Sequence, residues 1–267
     1  MGVEGCGLGV RTCRYARRPM RVLVVMPTYN ERENVAAVLT AVRSSAPGVD
    51  ILVVDDNSPD GTAKLVNETG EALGHIDLLQ RPAKQGLGSA YRDGFRLALE
   101  RGYDVVVSMD VDLSHDPAVL PEMLRLIAAG ADAVIGSRYV AGGATVDWPL
   151  RRRLLSRCGN RYTSLVLRLP VRDCTSGYRA YRSDALAEID PGSTTAEGYA
   201  FLTELVRRLV RARRRVVETP IVFADRRYGT SKMSGRIVAE SMWLVTTWSV
   251  RDLIHCVRDV ARRRGRT

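Results

Sequence analysis

The chain has 267 residues, 45% hydrophobic and 26% charged, the balance of an ordinary globular protein. That length suffices for one large domain or two small ones around a real core. With 40 Lys and Arg against 30 Asp and Glu the net charge is +10, so nucleic acid, anionic lipid and phosphorylated ligands are the partner classes to weigh.

Five cysteines (Cys6, Cys13, Cys158, Cys174, Cys256) are scattered and form no C-x-x-C pair. That excludes a zinc module or a disulfide framework and fits a reducing cytoplasm. Residues 1–19 lack the continuous apolar segment of a signal peptide and read as a flexible basic tail. No uncharged apolar stretch reaches the ~20 residues that span a bilayer; the longest, Ser241 to Val250, is too short. A soluble or peripheral protein is expected, at the cytoplasmic face of a membrane.

From Arg21 onward apolar runs alternate with helical patterns. RVLVVMP (Arg21 to Pro27) predicts a strand and is followed by a helix near Glu33 to Ser45. DILVVDD (Asp50 to Asp56) predicts a second strand, which passes through the turn signal NSPDGT into a helix near Ala63 to Ala72. IDLLQR (Ile76 to Arg81) is a shorter third strand. A Gly-containing loop at Lys84 to Gly88 feeds the next helix, and YDVVVSM (Tyr103 to Met109) is the fourth strand. After Pro117 comes another helix, then ADAVIGS (Ala131 to Ser137) as a fifth strand. Such alternation indicates an α/β fold with a mostly parallel sheet.

Open α/β sheets bind ligands at the carboxyl ends of their strands. Polar residues collect there: PTYNE after the first strand, DDNSPDGT after the second, DVD after the fourth and SRY after the fifth. No G-x-G-x-x-G follows the first strand and no P-loop is present, which argues against a dinucleotide or P-loop site. Asp110 and Asp112 stand one residue apart at the end of an apolar run. If extended geometry continues that far, both project to one side. Like charges held close call for something positive between them, and hard oxygen ligands suit Mg2+ or Mn2+. The competing reading, capping carboxylates for the following helix, explains Asp116 well, Asp112 partly and Asp110 not at all. Likewise PTYNERENV reads alternatively as a turn with helix-starting residues, and NSPDGT as a plain β-turn. The Lys84 to Gly88 loop suits a strand-to-helix turn as readily as a phosphate contact.

These blocks together resemble family 2 glycosyltransferases with the GT-A fold, and within them the dolichol- and polyprenol-phosphate mannosyltransferases. The resemblance rests on MPTYNERENV (Met26 to Val35), VVDDNSPDGT (Val53 to Thr62), MDVDLSHDP (Met109 to Pro117) and GSRYVAGG (Gly136 to Gly143). WPLRRRLLS (Trp148 to Ser156), DCTSGYRAYR (Asp173 to Arg182) and DRRYGTSKMS (Asp225 to Ser234) complete it. It implies a GDP-mannose donor, a polyprenyl monophosphate acceptor, inversion to a β-mannosyl product and a divalent metal on Asp110 and Asp112. Pro27, Tyr29, Glu31, Val54 and Asp56 resemble the nucleotide-binding positions, with Val111 between the acids. Arg138, Arg152, Ser156, Arg226 and Lys232 match positions that hold the acceptor phosphate or the donor diphosphate. Asp110, Asp112 and Arg138 form the expected catalytic set. Ser114 stands where relatives can carry a glutamine ligand and is left out of the metal set. Asp173, Ser176 and Gly177 are expected to shape the acceptor side, and His115 to sit in a first helical turn. Transfer of another sugar from a UDP-sugar to the same lipid is the rival activity.

The resemblance assigns residues 20–232 to the catalytic domain and leaves 233–267 as an amphipathic segment with a basic tail. Between Ile237 and Val260, Val238, Met242, Val245, Leu253, Val257 and Val260 share one helical face, and Trp243 and Trp248 are placed for headgroup depth. This reads equally as an interfacial helix and as a helix packed on the core. A membrane surface and a membrane-anchored protein are the expected partners. Nucleic acid is not, because helix-turn-helix, zinc and aromatic RNA-binding motifs are absent. A non-catalytic nucleotide-sugar binder is disfavoured by the intact D-x-D.

Overall fold

The computed structural model describes residues 18–224 and 241–252. Strands β1 (Val22–Thr28), β2 (Asp50–Asp55), β3 (Ile76–Gln80) and β4 (Val105–Ser108) form where the apolar runs predict them, and β5 (Ala133–Ser137) completes the expected five. β1, β2, β4 and β5 are buried along nearly their whole length, as strands covered on both faces must be. Together with β7 (Arg179–Arg182) and β8 (Val216–Pro220) they make one seven-stranded sheet in the order β3-β2-β1-β4-β7-β5-β8. β7 alone runs antiparallel, to both β4 and β5. A second, two-stranded sheet pairs β6 (Ala144–Thr145) with β9 (Val222–Phe223).

Side-chain alternation sorts the core into two layers. Val22, Val24 and Met26 of β1 pack with Val35, Val38, Leu39 and Val42 of α1 (Arg32–Ser45), Val66 of α2 (Thr62–Leu73) and Met123 and Ile127 of α4 (Leu120–Ala128). Leu23 and Val25 face the other way. They meet Tyr91, Phe95 and Ala98 of α3 (Leu87–Glu100) and Phe201, Leu202 and Leu205 of α7 (Gly198–Arg211). Between these come α5 (Leu150–Val166) and the short α6 (Ser183–Glu188). The last helix among the described residues, α8, covers residues 241–252. Val245 and Trp248 of α8 pack with Leu167, Val171, Cys174 and Val206 in a third cluster. α8 is clamped by Asp252, which accepts from Arg207 Nε at 2.9 Å, and by the Tyr162–Thr246 hydroxyl pair at 2.7 Å. Trp248 is therefore only 8% exposed, which corrects its expected placement at headgroup depth. Trp243, at 73% exposure, fits that expectation. The Val238, Leu253, Val257 and Val260 positions lie outside the described residues.

β7 and β8 went unforeseen. RAYR carries no apolar run, and Arg179 is fully buried because its guanidinium donates to the carbonyls of Ser176, Cys174 and Leu202. That backbone pattern exists only once the chain is folded.

Strand order reverses between β1 and β4, so a crevice opens at their carboxyl ends. Sharp turns close each strand there. Asn30, Asn57 and Leu113 adopt φ of 58°, 57° and 61°; asparagine tolerates this region, and the leucine is strained by about 1–2 kcal/mol.

Helix α3 lies so close to β1 that a Cβ on Gly94 would sit 2.3 Å from Val25 Cγ1 and 3.4 Å from Val54 Cγ2. Gly94→Ala should therefore cost about 1–3 kcal/mol by overpacking, more than offsetting alanine's helix preference. A urea unfolding midpoint lowered at unchanged slope would register it; an unchanged midpoint would contradict the close approach.

Candidate active site

Strand β4 stops at Ser108, two residues short of Asp110, so extended geometry does not carry through the D-x-D. The two acids lie instead in the bend that follows the strand end. Asp110, Val111 and Asp112 line one cavity with Pro27, Tyr29, Glu31 and Asp56. Each acid is steadied by neutral donors. Asp112 Oδ1 accepts from the Ser114 N–H at 3.1 Å and from its hydroxyl. Asp110 Oδ1 accepts from the Tyr91 hydroxyl at 3.3 Å. Burial first, and the Asp110 charge second, push the Tyr91 phenol well above its ordinary range, so it stays a donor. Asp116 caps the 3-10 turn at Pro117–Val119 through the Ala118 N–H, as the capping reading expected of it. Ser114 orients Asp112.

The paired acids offer oxygen ligands only, and among the described residues no group of three His, Cys, Asp or Glu side chains is placed to hold an ion. A dication here would take two protein carboxylates and fill its shell from ligand phosphates and water, the habit of Mg2+ and Mn2+ sites that serve phosphates. The residues fit that group.

Asp56 is 5% exposed. Its Oδ1 accepts from Arg81 Nε at 2.6 Å, and its Oδ2 accepts from the N–H groups of Gln85 and Gly86 at 3.1 and 3.3 Å. The carboxylate thus spends its acceptor capacity on pinning the loop before α3, and any contact with a nucleobase must share it. That loop brings Lys84, Gly86 and Leu87 into the cavity wall, with Lys84 Nζ 3.9 Å above the Tyr29 ring. The sequence reading left these residues aside. The α3 N-terminus is no phosphate cradle: Glu197 stands against it, and a Cβ on Gly88 would come within 2.8 Å of Glu197 Oε2. Val54 is fully buried among Leu52, Tyr91 and Phe95 and supports the cavity from behind.

A second cavity begins where the first ends. Asp110 and Gly177 belong to both, and from there the space runs past His115, Arg138, Arg152 and Ser156. Gly177 keeps the junction open, since a Cβ there would lie 3.2 Å from Asp110 Oδ2. α5 supplies one wall: Arg152, Ser156, Asn160 and Thr163 recur at helical spacing and all face the space. Arg152 lies 4.0 Å over the Trp148 ring, and Ser156 accepts the Tyr139 hydroxyl at 2.6 Å. Trp148, Leu155, Phe223, Met242 and Val245 make the rest of the wall apolar.

Arg138, matched to a phosphate-holding position, is engaged by the protein itself. It is 6% exposed, donates from Nε and Nη2 to the two oxygens of Asp173 at 2.7 Å each, and reaches Thr175 as well. Burial raises the Asp173 pKa, but the Arg138 charge and hydrogen bonds outweigh it and hold the carboxyl below its ordinary range. Arg138 therefore anchors the loop at Asp173 to Gly177 and contributes its charge to the cavity from within a bidentate pair. Arg226 and Lys232 lie outside the described residues.

The sequence model of glycosyl transferase family 2 matches residues 23–190. Among curated proteins, the polyprenol monophosphomannose synthase of Mycolicibacterium smegmatis is 44% identical over 247 residues, covering 92% of this chain and 93% of that protein. The undecaprenyl-phosphate mannosyltransferase of Micrococcus luteus is 46% identical over 231 residues, covering 86% and 95%. Solved structures share the architecture at low identity. A mannosyltransferase from Pyrobaculum calidifontis, in complex with GDP-Man and Mn2+, superposes with a TM-score of 0.60 at 18% identity over 86% of this chain and 64% of that one. Glucosyl-3-phosphoglycerate synthase from Mycobacterium tuberculosis, with Mn2+, UDP-Glc and phosphoglyceric acid, gives 0.61 at 19% over 85% and 80%. Sequence match, fold and crevice agree: the chain belongs to glycosyltransferase family 2 and has the GT-A architecture.

Proposed function

We propose that the protein transfers mannose from GDP-mannose to a polyprenyl monophosphate, with inversion, giving a β-mannosyl phospholipid. One observation carries this reading: two cavities of unlike chemistry share Asp110 and Gly177. The first carries four carboxylates, Glu31, Asp56, Asp110 and Asp112, and Lys84 among apolar residues, and suits a metal-borne nucleotide-sugar. The second has a basic, hydrogen-bonding end and apolar walls, as a phosphate on a hydrocarbon chain requires. Both relatives, a polyprenol monophosphomannose synthase and an undecaprenyl-phosphate mannosyltransferase by name, support it.

The acceptor's second pKa lies near 6, so at neutral pH its phosphate is largely dianionic and needs no strong base. The protein's task is placement and charge stabilisation. Arg152 and the Arg138–Asp173 pair set the positive end of the acceptor cavity. Asp110 and Asp112 would hold Mg2+ or Mn2+, which when bound offsets the charge growing on the leaving diphosphate. Tyr91 and Ser114 keep both carboxylates aimed into the crevice.

The lipid must come from a bilayer, and the molecule offers a face for it. Leu150, Leu154 and Leu165 of α5 are 61%, 53% and 67% exposed, near Arg151 and Arg153, while Trp243 projects from α8. No helix among the described residues is long and apolar enough to cross a membrane. Attachment at the cytoplasmic face through these leucines, Trp243 and the arginines is the corresponding proposal.

Purified protein with magnesium should convert labelled GDP-mannose and a short polyprenyl phosphate to lipid-linked mannose; product from UDP-glucose instead would replace the donor, and product from neither would reject the reading. Asp112→Ala should lower turnover at least ~100-fold, and near-normal turnover would remove its assigned role. Tyr91→Phe keeps the stacking on Phe95 and Phe201 but loses the hydroxyl on Asp110. It should cost roughly 10-fold in activity, read as a raised metal requirement in a Mg2+ titration.

A further inference from the structure

Among the described residues, eight buried side-chain nitrogen or oxygen atoms have no hydrogen-bond partner, and three belong to residues lining the acceptor cavity: His115 Nε2, Trp148 Nε1 and Ser176 Oγ. The other five line neither cavity. Buried polar atoms are nearly always satisfied, so three orphans around one space point to a ligand that satisfies them together. His115, Trp148 and Ser176 are 2%, 8% and 2% exposed; water reaches none of them freely.

All three are donors. The Asp110 N–H donates to His115 Nδ1 at 3.3 Å, which makes Nδ1 the lone-pair nitrogen and puts the proton of the neutral ring on Nε2. Trp148 Nε1 can only donate. The Ser176 backbone is fixed by its N–H to Asp173 Oδ1 at 3.1 Å and by its carbonyl from Arg179 Nε at 2.7 Å, leaving the hydroxyl alone uncommitted. The rings are held as firmly. His115 stacks on Tyr178 with centroids 5.2 Å apart, and Phe223 meets both His115 and Trp148 edge-on at 5.5 Å. Arg138 carries its guanidinium 5.4 Å from the Phe223 centroid, at the edge of the same group.

A phosphate monoester dianion is acceptor-only and offers several oxygens to converging donors, whereas a sugar hydroxyl would bring a donor of its own. We infer that His115 Nε2–H, with Trp148 Nε1–H and Ser176 Oγ–H, forms a neutral cradle that binds and orients the phosphate oxygens of the acceptor. This rests on the transfer reading above and adds to it residues other than the arginines. Neutral donors suit the place: Asp110 stands in the same wall, and a cradle of dipoles can fix the oxygens while drawing less charge from the attacking one than cations would. The His115 position, expected as an unremarkable first helical turn, becomes part of the binding surface because the chain bends there before the 3-10 turn.

The test uses the full chain, labelled GDP-mannose and a short polyprenyl phosphate. His115→Asn keeps an acceptor near Nδ1 for the Asp110 N–H but removes the Nε2–H, and His115→Phe removes both nitrogens; each should raise KM for the lipid phosphate about 10-fold or more, as loss of a hydrogen bond to a charged group does, with KM for GDP-mannose within about 2-fold of wild type in His115→Asn. His115→Gln restores an N–H near the Nε2 position and should recover most of the loss. Ser176→Ala, the mildest change, should raise the same KM in the same selective way. Unchanged lipid KM in His115→Asn and Ser176→Ala, or a rise in both KM values of His115→Asn together with a lowered Tm that Gln does not rescue, would overturn this inference alone. A wild-type protein that makes no lipid-linked sugar would fell the transfer reading and this one with it.

Discussion

Two carboxylates set one residue apart, and held facing one crevice, constrain the rest of this molecule. Asp110 and Asp112 stand in a bend beyond the end of β4 and not in an extended strand, and a left-handed leucine follows them. Around them the chain supplies neutral donors from Tyr91, Ser114 and the loop backbone. Such donors orient the carboxylates without cancelling their charge. The buried core beneath holds β1 and β4 in register and keeps the arrangement from relaxing.

Positive charge is distributed less simply than the count of arginines suggests. Arg138 is bound face to face with Asp173, Arg81 with Asp56, and Arg207 with Asp252. Each pair is largely buried, where breaking one partner would strand the other. These arginines act first as joints: one sets the acceptor loop, one the loop bordering the donor cavity, one the last helix. Each such pair cancels within the molecule, so the net +10 is carried by other basic residues.

The meeting of the two cavities at Asp110 and Gly177 has a geometric consequence. A side chain at position 177 would press on the Asp110 oxygens, so glycine there maintains a passage for the transferred group. α5 and α8 then frame the far side with leucines, a methionine and aromatic rings. Leu155 and Met242, which line that cavity, are also 50% and 40% exposed, so its apolar wall reaches the molecular surface there.

What the sequence determined by itself was everything local or periodic: five strands, the first four helices, the turn at NSPDGT, the cap at Asp116 and the motifs that carry the family. Apolar runs, helical spacing and short-range turn chemistry act between near neighbours, so one dimension suffices to read them. Only the tertiary structure decided that Arg138 is spent on Asp173, that Asp56 belongs to Arg81 and the loop before α3, that Trp248 packs inward, and that an arginine-bearing segment forms β7. Each depends on a partner about 25 to 45 residues away, or on carbonyls from another element. Hydrogen bonds and burial at such separations arise from chain crossing, and no spacing in the sequence records which charge will meet which.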